Sequence, residues 1–244
     1  AHFRRLSCGR IHLKYNPRAI ELMLIYSHSI TPRVTYIFNV LLGDMLGLTV
    51  KFTTDKELFS KETGPKLSYG YKALSDELHF ASHGLLHEKG VKDQTIQVQK
   101  SEHGIHFYGI GSQDSALPFD VFAASFFMLS RYEECLPHLR DEYNRFESKD
   151  SVAFQNGFLT EPIVDQWLIR LTGILTKQWP ELPIAKREYS FVSTIDIDNA
   201  YAYKNKGMMR TIGAFARSLI TGNLAEFWER ILVHTGRRSD PYDT

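Results

Sequence analysis

The sequence predicts an α/β fold, because apolar runs of strand length alternate with stretches of helical periodicity between Leu22 and Ser60. Leu22–Tyr26 is a short, continuous apolar run, the pattern of a strand covered on both faces. Val34, Ile37, Phe38, Leu41, Leu42 and Met45 then recur at helical spacing, and Thr49–Thr53 returns to a short β-branched run.

The elements follow in order. Ser29-Ile-Thr-Pro32 supplies a cap-like residue and a first-turn proline to the first helix, and Gly43 and Gly47 loosen its end. Asp55 caps a further helical turn through Ser60. Lys66–Tyr69, Leu78–Phe80, Thr95–Gln99 and Ile105–Tyr108 are short runs set among Gly64-Pro65, Gly84, Gly90 and Gly104, which predicts strands and turns. Asp120 precedes an apolar helix, Val121 to Leu129, whose polar close is Ser130-Arg-Tyr-Glu-Glu134. Glu161-Pro162 opens a second strong helix, with Ile163, Val164, Trp167, Leu168, Leu171, Ile174 and Leu175 on one face. Residues 180–187 read as a linker that ends an α/β domain over 22–180. Tyr189–Ile195 begins a second segment, 188–244, with helices over 208–220 and 224–234 parted by Thr221-Gly222-Asn223.

Composition narrows the function classes. With 43% hydrophobic and 23% charged residues the chain can bury a globular core. Lys and Arg number 29 against 28 Asp and Glu, so no chain-wide field draws nucleic acid. Cys8 and Cys135 make no disulfide framework. Phe119 to Leu129, the longest apolar run, is too short to span a bilayer, so no integral membrane segment is expected. Residues 1–21 carry Arg4, Arg5, Arg10, Lys14, Arg18 and Pro17 and no signal-like apolar run. They read as an N-terminal appendage, and a cytoplasmic location is expected.

The chemistry-bearing motif is Thr194-Ile-Asp-Ile-Asp198. Side chains alternate along a strand, so Asp196 and Asp198 share one face while Ile195 and Ile197 share the other. Two adjacent carboxylates repel unless a cation or a shared proton intervenes. An isolated Asp-x-Asp also fits a solvated strand end.

The stretch Phe191-Val-Ser-Thr-Ile-Asp-Ile-Asp-Asn199 resembles the first motif of NodB-type polysaccharide deacetylases, in the variant with one apolar residue between the aspartates. Leu24-Ile-Tyr-Ser27 with Thr31-Pro-Arg33, the Ser130–Glu134 helix end and the Glu161–Trp167 helix resemble the domain of unknown function that precedes the deacetylase barrel in some bacterial proteins. The resemblance implies a truncated, distorted (β/α) barrel with Tyr189–Asp198 as its first strand. It implies a carbohydrate substrate, Asp196 as the general base and Asp198 as a ligand of a divalent metal, commonly zinc. The family completes its metal site with two histidines spaced by three residues, C-terminal to the aspartates, and later adds an Arg/Asp pair and a His acid. Between Asn199 and Thr244 the sole histidine is His234. One carboxylate does not make a three-ligand catalytic zinc site, so these residues are expected neither to hold the metal tightly nor to turn over substrate.

Other patterns compete for attention. His79, His83 and His87 have helical i, i+4 spacing, but Ser82 and Gly84 interrupt a helix there, so they read as surface or loop histidines. Arg131 and Glu134 read as an ion pair at a helix end. Lys204, Lys206, Arg210, Arg217, Arg230, Arg237 and Arg238 make the C-terminal stretch locally basic, which reads as the solvated faces of amphipathic helices or as a membrane or polyanion surface. A metal-dependent glycosyltransferase and a non-catalytic glycan- or protein-binding module stay open as alternatives.

Overall fold

The computed structural model describes residues 22–102, 104–185, 189, 191–193, 202–203, 207–222 and 224–242. The chain divides into two compact units, 1–187 and 188–244. The class is α/β.

In the first unit β1 (Leu22–Ser27) leads to α1 (Pro32–Phe38), which continues as a π-helical stretch over Asn39–Met45. Thr31 caps α1 by accepting the Val34 N–H at 3.1 Å, and Pro32 occupies the first turn, where its missing N–H costs nothing. Gly47 ends the helix with φ +76°, and a Cβ there would come within 2.9 Å of the Ala185 Cβ. Both the left-handed backbone and the close approach require glycine. Next come β2 (Thr49–Thr53), α2 (Lys56–Lys61, capped by Asp55), β3 (Lys66–Gly70) and β4 (Leu78–Ala81).

These strands form one parallel sheet of order β2-β1-β3-β4. Met23 and Ile25 face α1, whereas Leu24 and Tyr26 pack on Phe59 of α2, so β1 is covered on both faces. That accounts for its unbroken apolar run.

A separate antiparallel pair, β5 (Gln99–Ser101) and β6 (Gly104–His106), follows. The runs expected as strands at Thr95–Gln99 and Ile105–Tyr108 are therefore displaced. Ile96 and Val98 pack against the core without a ladder partner, and Tyr108 adopts φ +59°, which ends β6 before it.

α3 (Val121–Leu129) is apolar all round and interior: Phe122 stacks on Phe38 of α1 at 3.9 Å between centroids. It stops at Leu129, because Arg131 takes φ +51°, and the expected Arg131–Glu134 ion pair forms within the following turn. A short α4 (Val152–Gln155) precedes α5 (Ile163–Gln178). The α5 stripe of Ile163, Trp167, Leu168, Leu171 and Leu175 is buried, and the Trp167 indole donates to the Ile105 carbonyl at 2.8 Å. Residues 181–185, read as a linker, lie on this unit, with Leu182 buried and the Ala185 N–H on the Leu46 carbonyl at 2.9 Å.

In the second unit α6 (Met208–Ile220) and α7 (Leu224–His234) pack together through Phe215 and Phe227. Asp240 accepts the backbone N–H groups of Ala202 and Tyr203 at 2.6 and 2.8 Å. Of the expected strand at Tyr189–Ile195, the described residues Tyr189 and 191–193 carry no strand, and Tyr189, Phe191 and Val192 are exposed. Among the described residues no helix is long and apolar enough to cross a membrane.

Candidate functional site at the carboxyl edge of the sheet

Asp196 and Asp198, the candidate base and metal ligand, lie outside the described residues, as do residues 1–21. Among the described residues no group of three His, Cys, Asp or Glu side chains is placed to hold a metal ion. His79, His83 and His87 do not share a helix face. His79 is buried within β4, His83 lies in the loop beyond it, and His87 closes a 3-10 turn over Leu85–His87. The expectation of surface or loop histidines fails at His79, because the chain there is an inward-facing strand.

The fold itself singles out another place. From β1 the chain passes through α1 to β2 on one side, then through α2 to β3 on the other side. The carboxyl ends of β1 and β3 thus form the topological switch point, where open α/β sheets leave a crevice for ligands. The residues there are Ser27-His28 and Gly70-Tyr71.

His28 and Tyr71 are exposed and adjacent, with ring centroids 5.4 Å apart. The His28 ring lies against His87 at 4.2 Å, and His87 stacks on the buried Tyr69 at 5.6 Å. Four rings thus descend from solvent to the core. A Cβ on Gly70 would stand 3.6 Å from the His28 Nδ1, so the strand end is narrow beside this stack.

The loop that carries His87 is pinned from below. Thr31 donates its hydroxyl to the Leu86 carbonyl at 2.5 Å, and Arg33 donates to Leu85 at 2.8 Å and to Gly90. The Arg33 guanidinium also lies over Phe126 and Tyr132, at 5.4 and 5.5 Å from their centroids. Tyr132 in turn accepts the Lys92 N–H and donates to its carbonyl. Thr31 and Arg33 therefore position a loop far away in sequence.

Beneath the stack is a saturated network. Asp120 accepts from the Tyr69 hydroxyl at 2.8 Å, the His83 N–H at 2.8 Å and the Ala123 N–H at 2.9 Å, the last as the cap of α3. Ser82 donates to the Tyr69 oxygen at 3.0 Å and accepts the Gly84 N–H. Complete burial raises the Asp120 carboxyl to about 6 against the pull of these donors. Burial, then the Asp120 charge, raises the Tyr69 phenol well above its ordinary range.

Two polar groups here have no hydrogen-bond partner among the described residues. The Ser27 hydroxyl is fully buried and unpaired, and both His87 ring nitrogens are buried and unpaired. Burial, with the neighbouring His28 ring second, lowers His87 to about 4, so its imidazole is neutral at pH 7. Sequence spacing could not find this group, because the strand register brings Ser27 beside Tyr69 and a distant loop brings His87 over it.

A second polar group lies on the opposite face. Ser68 donates to the Glu77 Oε1 at 2.6 Å and lies 2.7 Å from the His79 Nδ1. Glu77 also accepts the N–H groups of Leu74 and Ser75, both at 2.7 Å. Burial alone would raise its carboxyl, yet the Ser68 hydroxyl and these backbone donors hold it at about 2. The acid meets the serine rather than the imidazole, so the trio lacks the order of a hydrolytic triad. It ties the loop between β3 and β4.

The fold is a parallel-sheet α/β domain whose strand order reverses between β1 and β3. Residues 23–180 match the model of a family of unknown function (DUF7033), and the chain belongs to that family. Neither the curated proteins nor the solved structures contain a match to the chain.

Proposed function

We propose that the chain is the amino-terminal part of a metal-dependent polysaccharide deacetylase that hydrolyses acetyl groups from carbohydrate in the cytoplasm. The observation behind this reading is the run Phe191–Asn199, an apolar stretch that ends in Asp196-Ile-Asp198. In this reading Asp196 is the base that takes a proton from water, and Asp198 gives one carboxylate to a divalent cation such as zinc.

The donors that the sequence supplies from Asp196 to Thr244 are fewer than a catalytic zinc ion takes from its protein. Asp198 is a single ligand, His234 is the sole histidine after it, and no three-ligand group stands among the described residues. No catalytic step therefore runs through a metal held by these residues alone.

Acetate release from an acetylated oligosaccharide, measured with the full-length gene product, tests the reading. The full-length protein should release acetate, Asp196→Asn should reduce the rate by at least about 100-fold, and the 244-residue chain should release none. A full-length protein that releases no acetate, or that keeps its rate in Asp196→Asn, excludes the proposal.

A further inference from the structure

We infer that the crevice between the carboxyl ends of β1 and β3 binds a neutral saccharide ring, which takes the place of the His28 side chain between Tyr71 and His87. The ligand class rests on the carbohydrate reading above, whereas the place rests on the geometry alone.

The argument begins with His87. Both nitrogens of this imidazole are buried and neither is paired among the described residues, and such groups mark a place for water or ligand. Ser27, at the same strand end, is a second such group. A neutral imidazole offers one donor and one acceptor, which is what a sugar hydroxyl both accepts and donates.

Charge points the same way. Asp120 is committed to three donors, the Tyr69 phenol is held protonated and the His87 imidazole neutral at pH 7, and Ser27 and Ser82 carry only hydroxyls. A charged ligand would lose its hydration there without gaining a counter-ion.

Access is through His28. Its exposed ring covers His87 at 4.2 Å and leans on Tyr71, held by ring contacts. A ligand ring in place of the His28 ring would lie against His87 and against Tyr71, which is 62% exposed. Aromatic walls with few convergent polar atoms are the usual lining of such sites.

The test titrates the 244-residue chain with tetra-N-acetylchitotetraose, cellotetraose and adenosine, read by the histidine and tyrosine ring resonances in NMR. At least one of the two saccharides should shift the His28, Tyr71 and His87 signals saturably. Tyr71→Ala should weaken that binding at least tenfold, and His28→Ala should tighten it at least twofold. His87→Phe keeps the ring stack and removes both nitrogens. It should bind at least tenfold more weakly while melting no lower than the parent, which separates lost recognition from lost folding. Absence of saturable shifts with either saccharide, saturation by adenosine alone, or unchanged affinity in His87→Phe overturns the inference. Binding without acetate release by the full-length protein removes the deacetylase reading only, and acetate release without binding at this crevice removes this inference only.

Discussion

The two faces of the parallel sheet each carry a serine and a histidine, and they treat them differently. On one face Glu77, Ser68 and His79 are linked, and only the His79 Nε2 lacks a partner. On the other, the Ser27 hydroxyl and both His87 ring nitrogens have no hydrogen-bond partner among the described residues, although the neighbouring Tyr69, Ser82 and Asp120 are linked to one another. A network in which every residue is bonded to another holds a loop, and here it leaves a single nitrogen over. An unsatisfied pair at a switch point is a cost that a folding role does not explain. The difference separates a structural cluster from a recognition site.

The largest expected effect is at Asp120, because one carboxylate serves three donors from β3, the β4 loop and α3. Asp120→Ala should lose about 3 kcal/mol in chemical denaturation, through the lost cap and the donors left unpaired. A loss under about 1 kcal/mol would mean that water reaches these donors and that the network is not closed.

Ser68→Ala comes next. It removes the hydroxyl between Glu77 and His79, and should cost about 1–2 kcal/mol. Glu77 should then titrate higher, because the Ser68 hydrogen bond helps to hold it at about 2. With the native pKa depressed, its stabilisation is complete above the unfolded value and is lost as pH falls from about 4.5 toward about 2. An unchanged acid limb in Ser68→Ala would break the contrast between the two faces.

Much of the scaffold is legible in the sequence alone. Thr31-Pro32 and Asp120 announce their helices because capping is local chemistry, and the unbroken run at Leu22–Tyr26 reports a strand buried on both faces. What was not legible depends on register. Ser27 meets Tyr69 only because β1 and β3 pair in parallel with that alignment, and His87 arrives from a loop pinned by Thr31 and Arg33. The i, i+4 spacing of His79, His83 and His87 is a helical clue carried by a strand, a loop and a turn. Ile96 and Val98 look like a strand because they alternate, yet they pack into the core without a ladder. The aspartates that suggested a chemistry lie outside the described residues, so the sequence remains their only witness.

His87 gives a smaller, pH-dependent effect. Its native pKa of about 4 lies below the unfolded histidine value, so the unfolded chain binds a proton that the native one refuses. Stability from this group is therefore present above about 6.5 and is lost as pH falls toward about 4. His87→Phe should flatten that limb by on the order of 1–2 kcal/mol, after allowance for solvent screening. Asp120 slopes the opposite way, because its raised carboxyl stabilises the native state at low pH and that contribution is lost as pH rises toward about 6. Comparison of the parent with the single variant isolates the histidine from the aspartate.

The smallest expected effect is the sharpest test of the contrast. Ser27→Ala removes a hydroxyl that is fully buried and unbonded among the described residues, so the native state should lose no hydrogen bond and shed a desolvation cost. Stability should stay within about 0.5 kcal/mol of the parent or rise, whereas Ser68→Ala, the same chemical change one strand away, should fall by about 1–2 kcal/mol. The two serines differ in partners rather than in burial, since both are almost wholly inaccessible. Equal losses at the two positions would show that the Ser27 hydroxyl is as well bonded as that of Ser68, and the unmet polar capacity at the β1 end would then belong to His87 alone.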